Sequence, residues 1–256
     1  MLSDLFGLTA VPATLARLIG RTADRLQPFV KAVRDRLSGP QVEVVHLDET
    51  GLRVQGKTQW LHVICSPLLS HFRVSPRRGD LLTGVAGLVV HDHWAPYFKM
   101  EGVEHALCNA HHLREVQALI EIEKEAWSSA MKPLLFEAKA LADSPQTDSP
   151  QTDSPQTDSP QTDSPQTDSP QIDIDAMADI LQRYDEILTD AVTFHEAQPP
   201  LQINPDPKKR RGRPKRRTGH NLALRLQKRK PEVMRFLTEP NAPFTNNEAL
   251  RALLMG

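Results

Sequence analysis

A proline-rich repeat interrupts the chain and limits how it can fold. Residues 143–172 read DSPQT five times and close with DSPQI, which places a proline at every fifth position. Proline removes a backbone donor and clashes inside a helix, and a tract with almost no apolar side chains cannot contribute to a core. A five-residue period is also too short for a solenoid unit. The repeat therefore predicts a disordered spacer, inserted in a loop between two stretches of foldable sequence.

Composition excludes several classes of protein. Apolar residues make up 39% and charged residues 25% of the chain, which is ordinary for a globular protein. No apolar run approaches the roughly 20 residues that span a bilayer, and Asp4 stands where a secretory signal would carry positive charge. Two cysteines, Cys65 and Cys108, are too few for a disulfide framework. We expect a cytoplasmic protein with no membrane partner and with reduced, buried thiols.

Residues 1–40 predict a helical lead-in. Pro12 suits a first helical turn, and apolar side chains then recur at spacings of three and four residues. They are Leu15, Leu18, Ile19, Leu26, Phe29, Val30 and Val33. Leu5-Phe6-Gly7 before this helix leaves two interpretations open, a helix-turn-helix that reads DNA and a small helical bundle.

Residues 41–142 predict an α/β core that begins with strands. VEVVHLD is a β-branched strand that ends at Asp48, and Glu49-Thr50-Gly51 after it indicates a turn. LRVQGKTQWLHVICSP predicts a hairpin that turns at Gly56-Lys57, and HFRVSP predicts one more strand.

A helix and a further strand complete this pattern. We expect a helix around Leu81 to Ala86, and then GLVVHDHW as a short buried strand that ends at Asp92. The patterns of residues 103–141 and of the C-terminal part, residues 173–256, are helical. Three strands, a helix and a fourth strand is an order in which the first and fourth strands can lie side by side.

Asp48 and Asp92 are the candidate catalytic and metal-binding residues. Each closes an apolar strand, and side chains at such strand ends point into the crevice beside the sheet. Two converging carboxylates can hold divalent ions, and a pair of ions about 3.5–4 Å apart supports in-line phosphoryl transfer. The alternative is that both acids are ordinary polar ends of strands.

Several motifs, taken in order, resemble a known family. HLDETGLRV, WLHV, RRGD, VVHDHWAPY and HALCNAHHLREV resemble the catalytic domain of insertion-sequence-66 family transposases, and LFGLTAVPATLARLIG and PFTNNEALRALL resemble its lead-in and its C-terminal block. The resemblance implies a ribonuclease-H-like α/β core, an Asp-Asp-Glu site, Mg2+ (or Mn2+) as cofactor and transposon-end DNA as substrate. Asp48 and Asp92 match the two catalytic aspartates of the family.

The third acid departs from the family pattern. That block reads approximately Asn-Asn-x-Ala-Glu-Arg in the family, and Leu250 occupies the position of the glutamate here. Glu248 is the remaining catalytic candidate, although it points some 200° away from residue 250 on a helix of about 100° per residue. The resemblance also leads us to expect a cysteine-rich zinc segment upstream and further sequence after Gly256. These differences favour a truncated or degenerate transposase.

A basic tract predicts nucleic-acid binding. Residues 208–230 contain twelve Lys or Arg and no acid, although the whole chain has a net charge of −1. The candidate DNA-binding residues are Lys208, Lys209, Arg210, Arg211, Arg213, Lys215, Arg216 and Arg217. Arg-Gly-Arg-Pro within them is similar to an AT-hook, which enters a narrow minor groove. Phosphate attraction without sequence preference is the simpler interpretation.

Other side chains are interpreted as packing residues. His105, Cys108, His111 and His112 lie close in sequence, but a zinc site needs four ligands and no second cluster is present. We interpret Trp60 and Trp94 as aromatic residues of the core or of the rim of the site, in preference to platforms on which bases stack.

Three functional hypotheses remain open at this point. The chain is a DNA transposase, active or degenerate; or it is a non-catalytic DNA-binding fragment that interferes with a full-length transposase; or it is a pseudogene product without a role. Its expected partners are transposon-end DNA and either a second copy of itself or a full-length transposase.

Overall fold

The computed structural model describes Gly7 and residues 11–80, 84–144, 173–201 and 215–255. Most of the repeat, the first part of the basic tract, and Leu5 and Phe6 of the expected helix-turn-helix lie outside the described residues. The chain divides into two compact units, one of Met1–His105 with Asn246–Gly256 and one of Ala106–Thr245.

The first unit opens with one long helix, α1, from Pro12 to Leu37. Proline is accepted in the first turn because its missing N–H would have no intrahelical acceptor there. The C-terminal part of α1 packs on the sheet, where Leu37 is buried and Val33 contacts the core. Towards the N-terminus the helix is exposed.

Five strands form a mixed sheet. They are β1 (Val44–Val54), β2 (Lys57–Cys65), β3 (Ser70–Ser75), β4 (Gly87–His91) and β5 (Val103–Leu107). Their order is β3-β2-β1-β4-β5. β2 is antiparallel to β1 and to β3, whereas β1 and β4 are parallel. The chain is therefore α/β, and its first and fourth strands are neighbours.

Several local expectations from the sequence are wrong. β1 continues through Glu49-Thr50-Gly51 to Val54, because these residues pair with β2 throughout. The hairpin turns at Gln55 and Gly56, whose φ values of 50° and 78° match the twist of the strands. Gly84 to Ala86 are not helical, and residues 81–83 of the expected helix lie outside the described residues.

The two faces of β1 bury different partners because successive side chains alternate. Val45 and Leu47 lie in an apolar cluster with Val89 and Tyr97. His46 and Asp48 face the other way. On that side helix α8, Asn247–Met255, packs against β1 and β2 through Ala249, Ala252 and Leu253.

The second unit is helical. It contains α2 (Asn109–Ala118), a π-helical turn (Leu119–Glu123), α3 (Ala126–Asp143), α4 (Ile174–Glu196), α5 (Thr218–Lys228), α6 (Lys230–Val233) and α7 (Arg235–Thr238). The expected helix over residues 103–141 is wrong at its start, where residues 103–107 form β5. α3 packs on α4, and α4 on α5. Asp173 caps α4 by accepting hydrogen bonds from the backbone N–H groups of Asp175 and Ala176.

None of the helices in the described part of the chain is both long and apolar enough to cross a bilayer.

Candidate functional site

Asp48 and Asp92 lie next to each other at one end of the sheet. In the parallel pair of β1 and β4 the last paired residues are His46 and Val90, and Asp48 and Asp92 each follow two residues later, Asp92 just past the end of β4. Neighbouring strands are about 4.8 Å apart, and side chains at even spacing share a face. The parallel pairing of the two strands therefore brings the two carboxylates together.

Burial and like charges change the acidity of Asp48. Desolvation is the largest cause, and the negative charges of Glu49 and Asp92 add to it. Together they raise the pKa of Asp48 from 3.8 to about 6, against the opposing effects of the backbone N–H of Glu49 and the Arg78 guanidinium. Burial and the neighbouring negative charges thus disfavour the ionised form of Asp48, and a bound cation would offset this effect.

Asp92 is oriented by the turn that follows β4. The Trp94 backbone N–H donates to Asp92 Oδ1 at 2.8 Å. The buried His91 uses its Nδ1 to donate to the Asp92 carbonyl, and its Nε2 lies 2.9 Å from His105 Nδ1. Because both the main chain and one carboxylate oxygen are fixed, Asp92 Oδ2 is the oxygen left to face other groups.

A third acid, Glu49, forms a network that sequence reasoning missed. Glu49 points to the face opposite Asp48 and is buried, with the Tyr97 hydroxyl donating to Oε2. Arg78 donates to Oε1 through Nε at 2.7 Å, and its Nη2 lies 2.6 Å from the same oxygen. Burial raises the pKa of Glu49 above its ordinary value, and the hydrogen bonds from Tyr97 and Arg78 only partly oppose this. The only sequence signal for this network was the RRGD motif, which carries Arg78.

The Arg78 guanidinium lies between two indole rings. Its central carbon is 4.2 Å from the ring centroid of Trp94 and 5.2 Å from that of Trp60. These distances are in the range of cation–π contacts. Nη2 of Arg78 is also 3.8 Å from Asp92 Oδ2, so one cation joins the Glu49 network to the Asp92 carboxylate.

Asn246 anchors helix α8 to β1 beside Asp48. Its Nδ2 donates to the Leu47 carbonyl at 2.8 Å, which leaves Oδ1 as the acceptor for His46 Nδ1 at 2.9 Å. Burial lowers the pKa of His46, so its neutral form, with the proton on Nδ1, satisfies this contact. In the sequence Asn246 stands within the motif PFTNNEALRALL, where no local pattern marks it as a positioning residue.

Glu248 and Leu250 leave the end of α8 without a carboxylate at the expected position. Glu248 is in the first turn and forms a 3.3 Å ion pair with Arg251. Its charge acts on His46 and on the buried thiol of Cys65, whose pKa is raised to about 12 mainly by burial. Leu250 is 46% exposed.

The donor set fits one divalent ion in part. Mg2+ is commonly held by one or two carboxylates, with water and substrate phosphate completing its shell. Asp48 and Asp92 supply two such carboxylates. Among the described residues there is no group of three or more His, Cys, Asp or Glu arranged to hold a metal.

Several cations of the basic tract have partners within the helical unit. Lys208 to Arg213 lie outside the described residues, and Lys215, Arg216 and Arg217 precede α5. Arg225 pairs with Glu115 at 2.6 Å, and Lys230 pairs with Asp185 at 2.6 Å. These two cations therefore have acidic partners within the helical unit, whereas all the candidate DNA-binding residues named above lie before α5.

Three of the four residues weighed as zinc ligands have other surroundings. His105 lies beside His91, and His112 Nδ1 is 3.0 Å from Asn109 Oδ1. Cys108 and Cys65 are buried and not joined in a disulfide.

Comparison with known proteins gives one result. A family model described as "Transposase IS66 family" matches residues 1–255. Comparisons with curated proteins and with solved structures returned no match. The family model covers nearly every residue, so that both units and the carboxylate pair fall within the match. The chain therefore belongs to the IS66 transposase family.

Proposed function

We propose that the chain is a metal-dependent DNA transposase whose catalytic carboxylates are Asp48 and Asp92, on a ribonuclease-H-like core. The observation that carries this proposal is that Asp48 and Asp92 each lie two residues beyond the paired His46 and Val90 of adjacent parallel strands, close enough for the charge of Asp92 to raise the pKa of Asp48. The strand order β3-β2-β1-β4-β5, with β2 antiparallel to both neighbours, supports the core assignment.

The chain's own residues would prepare the site for a phosphodiester. Asp48 and Asp92 would hold one Mg2+ or Mn2+, which supplies Lewis acidity and charge neutralisation for phosphoryl transfer when bound. The Trp94 N–H keeps Asp92 in place, and the Asn246 contacts keep α8 against the strand that carries Asp48. The raised pKa of Asp48 means that its proton must leave before a cation can bind.

Loss of the third acid limits this activity. With Leu250 at the matching position, two carboxylates remain to bind the ion, and we infer weak cation binding and little strand transfer. Glu248 is the remaining acid of α8; it pairs with the exposed Arg251 at 3.3 Å, and its charge reaches His46 on the face of β1 that carries Asp48.

The test is cleavage of DNA in the presence of Mg2+ or Mn2+. Labelled DNA that carries the ends of the encoding element is incubated with the chain and with its Asp48→Asn and Asp92→Asn variants. Faint nicking that disappears in both variants supports the proposal. Nicking that persists in both shows that the reaction does not use this site.

A non-catalytic role is the second candidate. The exposed Leu250 and the basic residues before α5 favour a chain that occupies transposon DNA without cutting it and interferes with a full-length transposase. Adding the chain to an active relative distinguishes the two: inhibition without nicking supports interference, and no inhibition contradicts it.

We also propose that the chain associates with a second copy through α1. The apolar stripe of α1, Leu15, Leu18, Ile19, Leu26 and Phe29, is exposed along its whole length within the described residues, with Ile19 70% and Phe29 67% exposed. Residues 15, 19, 26 and 29 follow heptad spacing, which suits pairing of two helices. Light scattering should give a dimer that Leu26→Glu with Phe29→Glu dissociates. A monomeric parent chain contradicts this.

A further inference from the structure

Arg78 is a cation beside the carboxylate pair, and its structural role alone does not account for its position. Nη2 is 3.8 Å from Asp92 Oδ2, and the side chain is 38% exposed even though Glu49 is buried. An arginine that served only to neutralise Glu49 would not need to reach the end of the sheet.

The orientation of Arg78 is fixed before any ligand arrives. Glu49 holds Nε and Nη2, while the rings of Trp60 and Trp94 lie close to the guanidinium. A guanidinium fixed in this way loses little further freedom when it binds an anion, and its planar fork matches the oxygens of a phosphate.

The outer nitrogen of Arg78 is available to an anion. Its contacts with described residues use Nε and Nη2, and none of those residues accepts a hydrogen bond from Nη1. Three carboxylates, those of Asp48, Glu49 and Asp92, surround the single positive charge, and they would repel an anion unless a divalent cation were also bound. The site therefore favours an anion that comes together with a cation.

We propose that Arg78 is a binding residue for DNA, contacting a phosphodiester oxygen through Nη1 beside the cation held by Asp48 and Asp92. This inference rests on the proposed function. A cation about 2.1 Å from an Asp92 oxygen lies within about 6 Å of the guanidinium, so one phosphate can contact both. Trp60 and Trp94 hold the arginine in position, which gives these two aromatics a role other than stacking on bases.

The experiment measures how much a cation strengthens DNA binding. Fluorescence anisotropy gives the Kd of a labelled 30-base-pair duplex in Ca2+ and in EDTA, and the ratio isolates the cation-dependent part from the attraction of the basic tract. Arg78→Gln should reduce this ratio about tenfold or more, the effect of losing one charge-assisted hydrogen bond. Arg77→Gln is the matched control, since it removes the same charge from the neighbouring exposed position and should leave the ratio unchanged.

Folding and cation binding are measured separately. In Arg78→Gln, the buried Glu49 carboxylate would lose its cationic partner, which could affect folding. The double variant Glu49→Gln/Arg78→Gln replaces the ion pair with two amides. It is tested beside the single variant and should show the same loss of the cation-dependent ratio. Calorimetry with Ca2+ alone distinguishes the two proposals. A parent chain that binds no Ca2+ overturns the proposed metal site and this inference together. Ca2+ binding with an unchanged ratio in both Arg78 variants, or with no effect of Ca2+ on DNA binding, overturns the role of Arg78 alone.

Discussion

Replacing Asp48 with asparagine should stabilise the protein at neutral pH. The folded state raises the pKa of Asp48 from 3.8 to about 6, mainly because burial disfavours the carboxylate. Between pH 3.8 and about 6, the Asp48 carboxyl therefore keeps its proton in the folded protein, whereas it has lost that proton in the unfolded chain. The contribution of Asp48 to stability is therefore highest below pH 3.8, falls as the pH rises through this window, and stays low above about 6.

The magnitude follows from the size of the shift. A difference of 2.2 pH units between 3.8 and about 6 corresponds to about 3 kcal/mol at about 1.36 kcal/mol per unit. Solvent screening reduces this value, and we expect a gain of about 1–2 kcal/mol for Asp48→Asn, or about 3–6 °C in Tm for a chain of this length. Asparagine keeps an oxygen that can accept the hydrogen bond from Glu49 N.

Thermal unfolding of both proteins in EDTA, from about pH 4 to 7.5, tests this. The parent should lose stability relative to Asp48→Asn as the pH rises, and the two curves should meet at low pH. Asp35→Asn is the control, because the Asp35 side chain is 60% exposed and should give no gain. Parallel curves for the parent and Asp48→Asn would show that Asp48 is solvated and that the reasoning from burial is wrong.

Three further predictions concern other parts of the chain. Leu250→Glu should raise affinity for Mn2+ in calorimetry, because it returns a carboxylate to the family position on α8, whereas Glu248→Ala should leave that affinity unchanged; a loss with Glu248→Ala would show that Glu248 is the third ligand. Replacing all basic candidates from Arg210 to Arg217 with serine should flatten the dependence of DNA affinity on salt, by about 0.9 in log-log slope for each phosphate that is no longer neutralised, and an unchanged slope would place DNA elsewhere. Deleting residues 145–172 should leave Tm nearly unchanged, because the tract is poor in apolar side chains, and a large drop in Tm would contradict the spacer prediction.

Sequence patterns predicted the α/β class and the neighbouring first and fourth strands. Asp48 and Asp92 were recognisable because each follows a run of β-branched and apolar residues, a local signal that survives in a single sequence. The long helices α1 and α4 were recognisable for a similar reason, since their apolar spacing extends over many turns.

The parts that sequence reasoning missed depend on contacts between distant residues. Glu49 and Arg78 are 29 positions apart, and His46 and Asn246 are 200 apart, so no local pattern marks either pair. Strand β5 was interpreted as helix because five residues beside a long helical pattern carry too little periodicity of their own. The extra length of β1 comes from pairing with β2, which overrides the turn propensity of Glu49-Thr50-Gly51.

Calorimetric titration with Mn2+ tests the carboxylate pair most directly. The parent chain should bind one ion weakly above about pH 6, where Asp48 is ionised. Asp48→Asn and Asp92→Asn should each abolish the binding, whereas Asp35→Asn should preserve it. Absence of binding by the parent, or equal binding by the parent and both site variants, would contradict a metal site formed by Asp48 and Asp92.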